Sequence, residues 1–170
     1  TLKEKCLYMS FHIGVFFREL ILPSKYKSEI IKINEGFSST LNSPFRDYID
    51  MFLSEELNSQ NKENVSVLDI GCGEGYTYKK LLDEGFIGSY TGIDVKKSSI
   101  FDAYLSPMLD KKFIKCSAED ITIQTKFDLI ISVTSLEHID NEKKVIKNIK
   151  DLLAEGGTEI HIVPASATIF

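Results

Sequence analysis

From residue 65 onward, the pattern of apolar and polar positions predicts strands that alternate with helices. Short apolar runs rich in β-branched residues form the predicted strands, and segments with apolar residues at helical spacing lie between them. The predicted strands cover residues 65–70, 89–94, 112–116, 127–133 and 158–163, and the predicted helices cover residues 75–84, 98–109 and 141–153. Such alternation is typical of right-handed crossovers and therefore predicts a parallel sheet between layers of helices.

The first 60 residues have a different pattern, which predicts helices at 3–21, 25–33 and 44–57. Ser43 and Pro44 are suited to the N-cap and the first position of the third helix. The apolar stretch Leu7–Leu22 contains charged residues and is short for a membrane span, so we interpret it as a buried or interface helix. We expect an N-terminal helical cap over residues 1–60 and a core domain over residues 61–170, with no membrane span.

A glycine-rich turn follows the first predicted strand, in the segment Val67–Gly75, which reads VLDIGCGEG. Alternate glycines allow a sharp turn and close approach of a ligand to the backbone. Asp69 precedes the turn and would repel a pyrophosphate but attract an ammonium or sulfonium group. Asp94 ends the next strand, where a carboxylate can accept both hydroxyl groups of a ribose. A ribose with a cationic amino-acid tail and no phosphate describes S-adenosylmethionine.

Five segments, in this order, resemble the class I S-adenosylmethionine-dependent methyltransferases of the small-molecule, methyltransferase domain 11-like type. These segments are Val67–Gly75, Thr91–Asp94, Cys116–Ile121, Phe127–Ile139 and Leu152–Thr158. The resemblance implies an α/β fold, a Rossmann-like three-layer sandwich with the parallel strand order 3-2-1-4-5, and S-adenosylmethionine as the cofactor. It also implies a C-terminal hairpin of sixth and seventh strands, and this hairpin is missing before Phe170.

Without that hairpin the fifth strand is expected at one edge of the sheet. An edge strand has free N–H and C=O groups that pair readily with another chain. We therefore expect one of three outcomes. The chain forms a homodimer through this edge, the edge packs against missing parts of a longer chain, or an isolated fragment has poor stability.

The cofactor-binding residues that the resemblance implies lie in the glycine turn and after the next three strands. They are Asp69, Gly71, Cys72, Gly73, Asp94, Val95, Ser117, Ala118, Glu119 and Ser132. Asp69 either holds the ammonium group of the ligand or caps the backbone of the glycine turn. Ser117 and Ala118 match the turn that faces adenine, where Glu119 or water recognises the exocyclic amine. Ser132 either meets the methionyl group or packs beneath the loop.

His138 is the candidate catalytic residue, because imidazole exchanges a proton near neutral pH and the fourth strand leads to it. It is either a general base or a histidine bonded to nearby backbone. No Asn-Pro-Pro-Tyr sequence follows the fourth strand, which argues against methylation of amines on bases or glutamine. The sequence predicts no metal site, since no other ligand set accompanies Glu137.

Composition restricts the class of partner and the cellular location. The net charge of −5 and the absence of a basic patch argue against a nucleic-acid partner. The three cysteines are an odd number and do not form a set of disulfide pairs, which favours a reducing, cytoplasmic location. The favoured interpretation is a methyltransferase that acts on a small-molecule or glycan-precursor acceptor. A methyltransferase-fold scaffold, a dinucleotide oxidoreductase and a nucleic-acid methyltransferase are the alternatives.

Overall fold

The computed structural model describes residues 44–163 of the 170-residue chain, so the helices predicted at 3–21 and 25–33 lie outside the described residues. The helices of the described part are α1 (Pro44–Asn58), α2 (Tyr76–Asp83) and α3 (Glu142–Leu152). Its strands are β1 (Val65–Ile70), β2 (Gly88–Asp94), β3 (Leu109–Lys115), β4 (Phe127–Val133) and β5 (Leu153–Ile162). Within residues 44–163, no helix has the length and apolar character needed to cross a membrane.

The five strands form one parallel sheet in the order β3-β2-β1-β4-β5, which confirms the predicted topology. β1 is central and almost wholly buried, which explains why four of its six residues are apolar. Its pairing with β2 continues to Ile70 and Ile93, whereas its pairing with β4 ends at Asp69 and Ile131. β1 and β4 therefore diverge at their carboxyl ends, where open α/β sheets bind ligands.

Helix α3 covers one face of the sheet. Its residues Val145, Ile149 and Leu152 are buried at the spacing of a single helical stripe, and they belong to the same apolar cluster as Leu68 and Ile130 of the sheet. Each buried aliphatic side chain of this kind contributes about 1.5–3 kcal/mol relative to exposure. This packing fixes α3, and with it the loops at both ends of the helix.

A cluster of aromatic rings includes residues from α2, β2 and β3. The Tyr78 ring of α2 lies edge-on to Tyr90 of β2, with 5.1 Å between ring centroids. Phe101 lies 6.4 Å from Tyr90 and 5.2 Å from Phe113 of β3. Phe101 comes from the segment after β2, so the cluster attaches that segment to the sheet.

The helix predicted over residues 98–109 is wrong. One 3₁₀ turn, Phe101–Ala103, occupies its middle, and the backbone is already extended at Tyr104. Pro107 disfavours helical geometry in the residue before it and lacks an N–H group. The ammonium group of Lys111 donates hydrogen bonds to the carbonyl groups of Phe101 and Tyr104. A distant side chain thus satisfies carbonyls that a continuing helix would have bonded.

The last strand begins earlier than predicted, at Leu153 instead of residue 158. Its start is irregular: the register between β4 and β5 shifts between Phe127 and Leu129, and Gly156 has a φ of +77°. Among the described residues, β5 pairs with β4 alone, as expected for an edge strand.

Candidate cofactor-binding site

A cavity of about 360 Å³ opens at the carboxyl ends of β1, β2 and β4. Its volume lies within the range of small-molecule sites. Seven of the residues predicted from the sequence line it: Gly71, Asp94, Val95, Ser117, Ala118, Glu119 and His138. The other four do not line it: Asp69, Cys72, Gly73 and Ser132.

The glycine turn uses several of its N–H groups within the protein. The N–H groups of Gly71 and Cys72 both donate to the carbonyl oxygen of Ile93, at 2.9 and 3.1 Å. The N–H of Gly73 donates to Asp94 Oδ2 at 3.0 Å. Phosphate-binding turns instead direct such groups at the ligand. The arrangement therefore agrees with the sequence argument for a phosphate-free ligand.

Cys72 packs beneath this turn and is almost completely buried. A Cβ atom on Gly92 of β2 would lie 2.8 Å from the Cys72 sulfur, so the thiol occupies space that the glycine leaves open. Burial raises the pKa of the Cys72 thiol well above its usual range. The residue is a packing element here and not an accessible nucleophile.

Asp94 is held in a fixed orientation at the cavity wall. Its Oδ2 accepts the Gly73 hydrogen bond, and its Oδ1 accepts the N–H of Lys96 at 3.1 Å. A carboxylate has about four acceptor positions, so both oxygens keep capacity for ligand hydroxyl groups. The protein thus pre-orients an acceptor pair before a ligand arrives.

Asp69 is buried beneath the glycine turn, with only 1% of its surface exposed. The hydroxyl of Tyr90 donates to its carboxyl group. Burial raises the pKa of Asp69 to about 7, and the nearby charge of Asp94 adds to the rise, although hydrogen bonds from Tyr90 and Thr77 act against it. Asp69 therefore joins β1, β2 and α2 below the turn.

The turn after β3 is held by α3. Asn148 of α3 donates hydrogen bonds to the carbonyl oxygens of Ala118 and Glu119, both at 3.0 Å. The carboxylate of Glu119 accepts the N–H of Asn141 at 2.9 Å, and Ser117 Oγ accepts the N–H of Glu119. Asn148 was not predicted, because a polar residue on a helix has no distinguishing periodic signal.

The segment after β4 crosses directly above the end of β1. Ser135 Oγ donates to the carbonyl oxygen of Ile70 at 2.7 Å and lies 2.8 Å from Ser132 Oγ. The Ser132 side chain is completely buried. Thr134 has a φ of +50°, a strained value for a β-branched residue. Neither Thr134 nor Ser135 was predicted from the sequence as a site residue.

His138 lies at the rim of the cavity, and 78% of its side chain is exposed. Its Nε2 atom is 3.9 Å from a carboxylate oxygen of Glu137. The backbone N–H of His138 donates to the carbonyl oxygen of Ser135 at 3.1 Å and closes a 3₁₀ turn. The imidazole can therefore reach a molecule at the cavity mouth.

The strand order, the glycine turn and the acid at the end of β2 define the class I S-adenosylmethionine-dependent methyltransferase fold. A sequence profile of the methyltransferase domain family matches residues 40–168. The chain belongs to this family, whose cofactor is S-adenosylmethionine.

Individual relatives agree with this assignment. The chain is 34% identical over 105 residues to the mitochondrial ubiquinone biosynthesis O-methyltransferase of Saccharomyces cerevisiae, a match that covers 58% of this chain and 33% of the relative. It is 36% identical over 95 residues to the Coxiella burnetii ubiquinone biosynthesis O-methyltransferase, covering 54% and 40% of the two chains. The matched region therefore spans less than half of each relative.

A similar solved structure is an S-adenosylmethionine-dependent methyltransferase from Clostridium acetobutylicum. The TM-score is 0.53 at 22% identity, and the match covers 92% of this chain and 56% of that protein. At this identity the similarity establishes the fold.

Proposed function

We propose that the chain transfers a methyl group from S-adenosylmethionine to an oxygen atom of a small-molecule acceptor. The observation that carries the proposal is the Asp94 carboxylate, which the Gly73 and Lys96 N–H groups hold at the wall of the cavity. The names of the two curated relatives support oxygen as the accepting atom.

Each part of the cofactor is assigned to residues along the cavity. Asp94 accepts the ribose hydroxyl groups, and Val95 lies beside it. Ser117, Ala118 and Glu119 border the adenine, on the turn that Asn148 holds. Gly71 gives the methionyl end close access to the backbone. Asp69, Cys72, Gly73 and Ser132 support these groups from beneath.

The bound cofactor supplies an electrophilic methyl group on its sulfonium. The protein aligns the acceptor with that methyl group, and a general base receives the proton that the acceptor loses. His138 is placed for the second task, since its imidazole is exposed at the cavity rim. The Glu137 carboxylate would stabilise the imidazolium that forms.

A non-catalytic module that binds the cofactor is the second candidate. The observation that favours it is the 78% exposure of His138, because a general base works best where water is excluded. Methyl transfer to a panel of small phenols separates the two candidates. Transfer that is lost in His138→Ala supports the enzyme, and cofactor binding without transfer to any acceptor supports the module.

The two cysteines of the described part, Cys72 and Cys116, are both free thiols, which supports a reducing compartment such as the cytoplasm.

A homodimer through the β5 edge is also proposed, because β5 has one neighbour among residues 44–163. Sedimentation of the purified chain tests it, and a monomer at all concentrations would contradict it.

Titration calorimetry tests the cofactor assignment directly. We expect S-adenosylhomocysteine to bind with micromolar affinity, about −8 kcal/mol, and NAD not to bind. Asp94→Asn should weaken binding by about 1.5–3 kcal/mol, the scale of charge-assisted hydrogen bonds. The matched control is Asp102→Asn, whose carboxylate is exposed and pairs with Lys97. Binding of NAD in place of S-adenosylhomocysteine would contradict the proposal.

A further inference from the structure

Ser135 lies where β1 and β4 diverge. The pairing of these strands ends at Asp69 and Ile131, one residue before the end of β1. Beyond that point, Ser135 Oγ donates a 2.7 Å hydrogen bond to the carbonyl oxygen of Ile70. A side chain therefore continues the connection between β1 and the segment after β4.

The direction of the hydrogen bonds around Ser135 follows from proton counting. A serine hydroxyl has one proton, and that of Ser135 is committed to the Ile70 carbonyl. Ser135 Oγ must then accept the proton of Ser132 Oγ, which lies 2.8 Å away. Ser132 is fully buried, whereas Ser135 is half-buried and lines the cavity, so the chain of bonds runs from the interior of the sheet to the cavity wall with a single orientation.

Ser135 also contacts two segments of the proposed site, the glycine turn and the 3₁₀ turn that contains His138. A Cβ atom on Gly71 would lie 2.3 Å from the Cβ of Ser135, so the serine packs directly against the glycine turn. On its other side, the Ser135 carbonyl accepts the N–H of His138. The strained Thr134 between strand and turn is held by its own N–H, which donates to the Ile162 carbonyl at 2.7 Å.

We propose that Ser135 is a positioning residue that holds the glycine turn and the His138 turn in one fixed relation. It acts on the methionyl end of the cofactor through Gly71, and on the candidate base through the 3₁₀ turn. The inference rests on the proposed function, because it requires the methionyl group to lie at Gly71. Loss of the hydroxyl would leave the Ile70 carbonyl without this donor and free residues 134–138 to move away from Gly71.

The test compares two ligands in the 170-residue chain. S-adenosylhomocysteine carries the amino-acid tail that reaches Gly71, whereas adenosine carries only the base and ribose. In Ser135→Ala we expect the affinity for S-adenosylhomocysteine to fall about tenfold, the scale of one hydrogen bond, while adenosine affinity changes less than about twofold. A merely structural role would weaken both ligands together.

Ser66→Ala is the matched control. Ser66 Oγ donates to Asp128 at 2.6 Å near the opposite end of β1, so the same chemical change removes a comparable hydrogen bond far from the cavity. We expect it to leave the affinity ratio of the two ligands unchanged. An unchanged ratio in Ser135→Ala, or a ratio shift of equal size in Ser66→Ala, would overturn the positioning role.

If Ser135→Ala does not fold, Ser135→Cys replaces it, because a thiol is a weak donor of similar shape. We expect a smaller shift of the affinity ratio in the same direction, and no shift would overturn the inference. Failure of the unmodified chain to bind S-adenosylhomocysteine would overturn the proposed function and this inference with it. Binding by the unmodified chain with an unaltered ratio in the variants would overturn only the inference.

Discussion

Asp69 and Asp94 lie near each other at the ends of neighbouring strands, but their surroundings give them different chemistry. Asp94 lines the cavity and is bonded by backbone N–H groups. Asp69 is enclosed by Tyr90 and Thr77, and burial raises its pKa to about 7. Asp94 is thus the better candidate for a ligand contact. Asp69 supports the turn and exchanges its proton near neutral pH.

The raised pKa of Asp69 makes stability depend on pH. Its folded-state pKa of about 7 exceeds the reference value of 3.8, so folding favours the protonated carboxyl group. The resulting stability is fully present below about pH 4 and is lost as the pH rises to about 7. At about 1.36 kcal/mol for each pKa unit, the loss is at most about 4 kcal/mol. Asp69→Asn stays neutral and should therefore gain stability relative to the unmodified chain between pH 4 and 8.

Denaturant unfolding at a series of pH values measures this difference. Asp128→Asn serves as a control of opposite sign, because hydrogen bonds from the Ser66 hydroxyl and N–H lower the pKa of Asp128. That variant should lose stability relative to the unmodified chain as the pH rises toward about 4, and the loss should stay constant at higher pH. A stability difference for Asp69→Asn that is constant across the pH range would contradict the buried-carboxyl account.

At the scale of elements, the segment between β2 and β3 shows how a side chain from elsewhere can replace a helix. Lys111 lies 4.1 Å from the ring centroids of Tyr78 and Phe101 and bonds two carbonyl groups of the segment. Burial lowers the pKa of Lys111, because the loss of water around the ammonium disfavours its charged form. The contacts of Lys111 with the two carbonyl groups and the two rings attach the segment to α2 and β3.

Lys111→Met keeps an unbranched apolar side chain and removes the ammonium group. We expect a change of no more than about 1 kcal/mol in the free energy of unfolding, since the lost hydrogen bonds are offset by relief of desolvation. Amide hydrogen exchange over residues 97–106 should become faster. Lys112→Met, at the exposed neighbouring position, should leave that exchange unchanged. Equal exchange in the two variants would show that Lys111 does not hold the segment.

This segment also marks the limit of prediction from sequence. β1, β4 and α3 were predicted to within about one residue, because apolar periodicity reports burial and a turn signal bounds each element. The helix at 98–109 failed for two reasons: Pro107, a helix-breaking signal within the sequence, was given too little weight, and local spacing does not reveal the bonds from Lys111. The cavity residues at the strand ends were predicted because they follow recognisable strands. Asn148 and Ser135 were missed because their roles depend on hydrogen-bond partners that are distant in sequence.

At the scale of the whole molecule, the site brings together the ends of several strands and the turns that follow them. β1, β2, β4 and the turn after β3 each contribute residues to one cavity, and α3 holds one of its walls. A ligand that bridges them binds the folded chain and not the unfolded chain. Ligand binding therefore stabilises the described core as a unit.

S-adenosylhomocysteine at about 100 times its dissociation constant should add about 2.7 kcal/mol to the stability of the chain. For a chain of this size that corresponds to a rise of about 5–10 °C in Tm. Scanning calorimetry with S-adenosylhomocysteine, with NAD and without ligand measures the rise. NAD should produce no rise, and Asp94→Asn should reduce the rise at the same ligand concentration. An identical rise in Asp94→Asn would show that the ligand binds elsewhere.

The contact between Gly92 and Cys72 has a consequence for the divergence of related sequences. The Cys72 sulfur occupies the volume that a side chain at position 92 would need. A single replacement of Gly92 by alanine is therefore selected against while cysteine remains at position 72. The two positions should change together, with a larger residue at 92 accompanied by glycine at 72, because the Cys72 Cβ atom would also lie only 2.9 Å from a Cβ atom at position 92. An alignment in which they vary independently would show that the strand and the turn can move apart during evolution.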